Sequence, residues 1–119
     1  MRQRGRKSAA SLSVLRGPRL VASQPLKSDP PPPAHLADPE RQIWDDVVRD
    51  WSGTSASYAV LVAGLEAHQR ARECREIIAV EGLTVTGRDG QAKSHPLCTV
   101  ERDSAAAFQR TFRALGIKI

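Results

Sequence analysis

The residue types most suited to chemistry lie at the start of the chain, where the stretch "RGRK" brings basic side chains close together. Four basic residues fall in this region, namely Arg2, Arg4, Arg6 and Lys7. Such side chains contact phosphates, and the negative potential of a narrow DNA minor groove favours arginine. The competing interpretation is a solvated tail without a specific partner. The pattern predicts an arm for a polyanion, with binding that weakens as salt rises.

The charge of the whole chain is distributed unevenly. Residues 1–37 hold seven basic side chains against Asp29 alone, a net charge of +6, whereas residues 38–119 hold 11 basic and 12 acidic groups, a net charge of −1. This asymmetry predicts a basic arm on a nearly neutral body. Arg16 and Arg19 lie further along the arm and are expected to support the contacts made by the first four basic residues.

Histidine and cysteine could hold a metal ion, and the stretch "HPLC" places His95 and Cys98 at HxxC spacing. A structural zinc site uses four ligands at characteristic spacing, and a second ligand pair is missing from this sequence. We therefore predict no metal and no other cofactor. Cys74 and Cys98 are expected to be reduced thiols in a cytoplasm and to pack as small hydrophobic residues.

Acidic residues and one glycine-containing stretch are the candidates for catalysis. Asp45 and Asp46 are adjacent on a predicted helix, so their side chains point about 100° apart and do not converge. Together with Asp50 they are expected on a solvated face. The stretch "GRDGQAKS" lacks the spacing of a phosphate-binding loop. We therefore predict that the chain is not an enzyme.

The elements that position these residues begin after a proline-rich segment. Six of the eight prolines lie in residues 1–37, and the run "DPPPP" favours polyproline II over helix or central strand. Residues 1–37 are therefore predicted to be a flexible basic arm. One short helical turn near "SLSVLRG" would end at Gly17-Pro18. No apolar run is long enough for a membrane span, which needs about 20 residues.

A first helix is predicted from "DPERQIWDDVVRDWSG", with Asp38 as N-cap, Pro39 at the first helical position and Glu40 complementing the helix dipole. Its apolar stripe consists of Ile43, Trp44, Val47, Val48 and Trp51.

A long second helix is predicted to follow and to end near Gly82. Its stripe consists of Val60, Leu61, Gly64, Ala67, Ala71, Cys74 and Ile78. Small residues within that stripe let another helix approach closely.

A short hairpin and a last helix complete the predicted body. Residues 83–86 and 91–94 flank Asp89-Gly90, a dipeptide typical of hairpin turns. Pro96 would then start the last helix, with Ser94 or His95 as its cap. The stripe of that helix consists of Leu97, Val100, Ala107, Phe108, Phe112 and Leu115.

The predicted fold is mainly α: a short helix and two long antiparallel helices joined by a small β-hairpin, preceded by a disordered basic, proline-rich arm. Residues 38–119 would form a helical oligomerisation body. These 82 residues can build only a thin core, so we expect self-association to bury the remaining apolar stripes.

The order of these features resembles one family, the P27-type small terminase subunits of tailed phages. The matching pieces run through nearly the whole chain. They are "RGRK", "LSVLRGPR", "PPPPAHL", "ERQIWDDVV", "HQRARECREIIAVEGLTVTGRDG" and "HPLCTVERDSAAAFQRTFRALGI".

The resemblance implies a non-catalytic component of viral genome packaging in the bacterial host cytoplasm. Such proteins form homo-oligomeric rings, bind double-stranded viral DNA and recruit or stimulate a large terminase subunit, which carries the ATPase and nuclease. Two alternatives stay open: a regulatory or architectural DNA-binding protein with an AT-hook-like arm, and a structural adaptor that never touches DNA. If the arm does not bind DNA, the next candidates are Arg70, Arg72 and Arg75, or Arg88 and Lys93.

Overall fold

The computed structural model describes residues 29–118. Within this range the order of elements is helix α1 (Asp38–Asp50), helix α2 (Ser55–Glu81), strands β1 (Thr84–Thr86) and β2 (Ala92–Ser94), and helix α3 (Leu97–Ala114). The mainly helical fold, with two long helices joined by a small antiparallel hairpin and a shorter helix before them, is therefore confirmed.

Helix α1 starts one residue earlier than its predicted cap implies. Ala37 occupies the N-cap position and offers no side-chain hydrogen bond, while Asp38 and Pro39 lie in the first turn. Asp38 is thus not the N-cap, although its charge there still favours the positive end of the helix dipole. On the opposite face Trp44 is buried, and the other four residues of the predicted stripe pack around the core.

Helix α2 has defined chemical signals at both ends. At its start, the Thr54 Oγ1 accepts a hydrogen bond of 3.1 Å from the backbone N–H of Ser57, which satisfies one free amide of the first turn. At its end, Gly82 adopts a φ of 92°, which glycine tolerates without a steric penalty. The Gly82 N–H reaches the carbonyl oxygen of Ile78 at 2.6 Å and closes the last turn.

Helices α2 and α3 pack against each other in antiparallel orientation. A Cβ added at Gly64 would lie 2.6 Å from Thr111 Cγ2, so the Thr111 side chain occupies the space that a larger residue at 64 would need. The predicted role of small residues in the α2 stripe is confirmed at Gly64, Ala67 and Ala71, which are all buried. Val60, which was predicted in the same stripe, is exposed although its helical spacing places it on the face of Gly64 and Ala67.

The core lies where α1 and the segment before it cover the first half of α2. Its buried residues are Leu36, Trp44, Tyr58, Leu61, Leu65 and Phe112. Tyr58 lies between two tryptophan rings, with ring centroids 5.6 Å from Trp44 and 5.2 Å from Trp51. The predicted stripes omitted Tyr58 and Leu65.

The segment 29–37 packs against the helices, which differs from the predicted boundary between arm and body at residue 37. Leu36 is buried in the core, and the indole N–H of Trp44 donates to the carbonyl oxygen of Pro30 at 3.2 Å. The Tyr58 hydroxyl donates to the Asp29 carboxylate at 2.8 Å. Prolines lack an N–H but keep a carbonyl, so this segment can accept hydrogen bonds from the body without forming a helix or strand.

Candidate functional site

The six basic residues predicted to contact DNA lie outside the described range. Arg2, Arg4, Arg6, Lys7, Arg16 and Arg19 all precede residue 29. Their DNA-binding role therefore stays a prediction. The described chain begins beside the start of α2, because Asp29 is hydrogen-bonded to Tyr58.

Three arginines of α2 are the next candidates for DNA contact after the arm, and each of them contacts another side chain. Arg72 bonds Glu40 and Glu76, and Arg75 bonds Glu101 of α3 at 2.9 Å. Arg70 reaches the hydroxyl of Ser104 at 3.5 Å. Arg72 and Arg75 are therefore paired with acidic side chains and are poorly placed to act as a free basic surface, whereas Arg70 is exposed and contacts only a neutral hydroxyl.

The hairpin carries the other two residues that were named as alternatives to the arm for DNA contact. Arg88 lies in the turn and Lys93 in β2, and within residues 29–118 neither has an acidic partner in an ion pair. The turn is closed by the Gly90 N–H, which donates to the Gly87 carbonyl at 3.0 Å, and Gly90 adopts a φ of 82°. Asp89 Oδ1 accepts from the Gln91 N–H at 3.2 Å, a local bond that favours the turn. The hairpin thus presents two cations on a defined backbone.

His95 fixes the base of the hairpin to both long helices. Its Nδ1 lies 3.0 Å from the backbone N–H of Leu97, and its Nε2 lies 2.7 Å from Glu81 Oε1. A backbone N–H can only donate, so Nδ1 accepts and Nε2–H donates to the carboxylate. The predicted cap is therefore wrong: Pro96 is the N-cap of α3 and makes no side-chain cap hydrogen bond, while His95, one residue earlier, accepts from the first helical amide. Both ring nitrogens are engaged, so the HxxC pair is not arranged to hold a metal.

The most deeply buried ionisable group is Glu40, whose side chain is 0% exposed. Arg72 donates a hydrogen bond to each of its two carboxylate oxygens, with Nη2–Oε1 at 2.9 Å and Nε–Oε2 at 3.0 Å. The His68 Nδ1–H also donates to Oε2, at 2.6 Å. Such a bidentate charge-assisted contact has stricter geometry than a single ion pair. It ties the first turn of α1 to the middle of α2.

The environment of Glu40 affects its pKa in two opposing ways. Burial raises the pKa of the carboxyl, but the hydrogen bonds and charges of Arg72 and His68 outweigh burial and leave the pKa below its usual value. The same contacts with Glu40 raise the pKa of Arg72. The cluster therefore keeps an ionised carboxylate inside the protein at neutral pH.

Sequence reasoning missed this cluster, because Glu40 was interpreted only as a partner for the helix dipole. His68 and Arg72 lie four residues apart on α2, so they share one face of that helix. A histidine and an arginine one turn apart on a partly apolar face were the available signal. What the sequence could not supply is the packing of α1 on that face.

The structure also shows how exposed the predicted surface acids and the two thiols are. Asp45, Asp46 and Asp50 are exposed on α1, as predicted. Cys74 is buried and Cys98 half-buried, and both are free thiols. Within residues 29–118, no three histidine, cysteine or acidic side chains converge as a metal site would require. No helix in that range is long and apolar enough to cross a membrane.

The chain was also compared with known proteins. It matches no protein-family model, no curated protein and no solved structure.

Proposed function

We propose that the chain is the small terminase subunit of a tailed phage. In this role it binds double-stranded viral DNA in the bacterial host cytoplasm and recruits or stimulates the large terminase subunit, which supplies the ATPase and nuclease. The chain itself is proposed to be non-catalytic and to act as a homo-oligomeric ring.

The observation that carries the proposal is the separation of charge along the chain. The first 37 residues carry a net charge of +6 and the remainder a net charge of −1. The arginines of α2 are already bonded within the body. The net positive charge of the chain is therefore concentrated in the arm, because the remaining exposed cations of the body, among them Arg88, Lys93, Arg110 and Arg113, are balanced by its acids.

The surface of the helical body supports the assembly part of the proposal. Two large apolar side chains, Val80 and Leu83, are 87% and 70% exposed, and Ile77 nearby is also exposed. Side chains that cluster in this way on a surface are typical of interfaces. A ring would also present many arms to one duplex, and this avidity offsets the modest affinity of each arm.

The experiment that tests the proposal is deletion of residues 1–19 from the chain. DNA binding by the full and shortened proteins is measured by fluorescence anisotropy over a series of salt concentrations. Each phosphate contact contributes about 0.9 to the slope of log affinity against log salt, so losing six basic residues should flatten the slope by up to about 5. Native mass spectrometry should show the same closed oligomer for both proteins.

The matched control removes positive charge from the body instead of the arm. In the variant Arg102→Gln/Arg110→Gln/Arg113→Gln the arm is intact, so the salt slope should stay near that of the unaltered chain. An unchanged affinity and slope after arm deletion would contradict the arm as the DNA contact. A second measurement tests the partner: ATP hydrolysis by the large subunit should rise on addition of the full chain.

A further inference from the structure

An open groove runs between α1 and α3. Its apolar walls are formed by Ile43, Val47 and Trp51 on one side and by Phe108 and Ile117 on the other, around a space of about 660 Å³. These residues pack against the core from outside and remain only half-buried. The groove therefore leaves apolar surface in water, a feature that often marks a contact site.

The mouth of this groove carries more acid than base. Asp46 and Asp50 line the α1 side and Lys118 lines the opposite side. Asp46 also accepts hydrogen bonds from Gln42 and Arg49. Within residues 29–118, Asp50 takes part in no ion pair. An occupant of the groove should thus combine apolar side chains with positive charge.

The hairpin has this combination of side chains. Leu83, next to β1, is 70% exposed, and Val85 within β1 is half-buried. Arg88 and Lys93 supply two positive charges, while Asp89 at the tip is bonded to the turn backbone. His95 and the ladder hold these residues on a short, defined element, so docking would order few additional groups.

The hairpin and the groove lie at different ends of the chain. The groove includes His68 in the middle of α2 and Trp51 before its start, whereas the hairpin follows Glu81 at the end of α2. Thirteen residues of helix separate His68 from Glu81, which is about 20 Å along the axis. A chain therefore cannot place its own hairpin in its own groove.

We propose that the hairpin of one copy docks in the α1–α3 groove of the next copy. The two surfaces differ, so the contact is heterologous, and it builds the proposed ring when the rotation between successive copies closes. This inference rests on the proposed ring and names the contact that builds it. A second candidate binding site for the hairpin is the α2 strip, the surface of α2 lined by Glu73, Glu76, Ile77, Val80 and Glu81, which lies at the same end of the chain as the hairpin.

The test reverses charge on each surface of the full chain. The hairpin variant is Arg88→Glu/Lys93→Glu, and the groove variant is Asp46→Lys/Asp50→Lys. Each variant alone places like charges together, so its assembly should weaken at least ~100-fold and native mass spectrometry should show monomers. In an equal mixture, each contact between unlike variants pairs opposite charges, so the mixture should restore an oligomer in which the variants alternate, with a 1:1 ratio where the number of subunits is even. One chain carrying all four changes should also assemble.

Matched controls reverse charge away from both surfaces. Asp38→Lys/Asp45→Lys alters exposed acids of α1 outside the groove, and Arg102→Glu/Arg110→Glu alters exposed bases of α3 outside the hairpin. Both controls should assemble normally, and circular dichroism should show that all variants fold.

Several outcomes would overturn the inference. Normal assembly of either reversed variant would do so, as would failure of the mixture to assemble when both variants are folded. If assembly is lost when the charges of Glu73 and Glu76 are reversed, while the groove variant assembles, the hairpin docks on the α2 strip instead of in the groove. If the unaltered chain assembles and binds DNA while the inference fails, the proposed function stands. A monomeric unaltered chain would overturn the inference and the ring together.

Discussion

The two ends of the helical body are held by different kinds of interaction. At the root end, formed by residues 29–37, α1 and the first half of α2, aromatic rings pack around Tyr58, and the buried Glu40 joins two helices. At the hairpin end, formed by the last turn of α2, the hairpin and the first turn of α3, Val80 and Leu83 are largely in water. His95 and a ladder of three residue pairs hold that end. The comparison indicates that the root end stabilises the fold and the hairpin end is available for contacts.

The largest effect is expected from Glu40→Ala at the root end. This change leaves Arg72 and His68 without their buried partner, and breaking a buried ion pair costs about 3–5 kcal/mol of unfolding free energy. Because Arg72 keeps its bond to Glu76, we expect a loss of about 3 kcal/mol, near the lower limit of that range. Urea denaturation at fixed protein concentration measures it. The control Glu73→Ala alters an exposed acid of α2 and should cost less than ~0.5 kcal/mol, and equal losses would contradict the comparison.

An intermediate effect on stability is expected when the pH is lowered. The folded protein lowers the pKa of Glu40 below its ordinary value of 4.5. Its stabilising contribution is therefore complete above that value and is lost as the pH falls through the folded-state pKa. Between about pH 6 and pH 3, the urea midpoint of the unaltered chain should fall more than that of Glu40→Gln, which cannot ionise. Parallel losses in the two proteins would show that Glu40 does not contribute to acid sensitivity.

The smallest effect on stability is expected at the hairpin end. In the Arg88→Glu/Lys93→Glu background, which is expected to be monomeric, Val80→Gln and Leu83→Gln replace side chains that are in water, so each should change the unfolding free energy by less than ~0.5 kcal/mol. The matched change at the root end, Leu36→Gln, places a polar group in the core and should cost several times more. Denaturation of the three variants under identical conditions makes the comparison. A large loss from Leu83→Gln would show that the hairpin end also supports the core.

The order of elements could be predicted because local signals specify it. Gly82 ends α2 and Asp89-Gly90 forms the turn, and both depend on backbone conformations that few residues adopt. The close approach of α3 at Gly64 was likewise predictable from the small residues of α2. These features depend on neighbours in sequence or on helical periodicity.

The features that sequence reasoning missed depend on contacts between distant residues. The prolines of residues 30–33 are typical of a spacer, but the bonds to Trp44 and Tyr58 and the burial of Leu36 show that residues 29–37 have partners on the body. Glu40 similarly meets His68 and Arg72 only after α1 has packed on α2. The DNA contacts of the arm stay a prediction, since all six residues precede the described range.

The contact between Gly64 and Thr111 has an evolutionary consequence. A methyl group at position 64 would overlap the Thr111 side chain at 2.6 Å, so a larger residue at 64 depends on which residue occupies 111. A lineage that acquires alanine at 64 must first accept a smaller residue at 111, or lose stability until it does. The order of such substitutions is therefore constrained, and descendants of this sequence should carry the two positions as a linked pair.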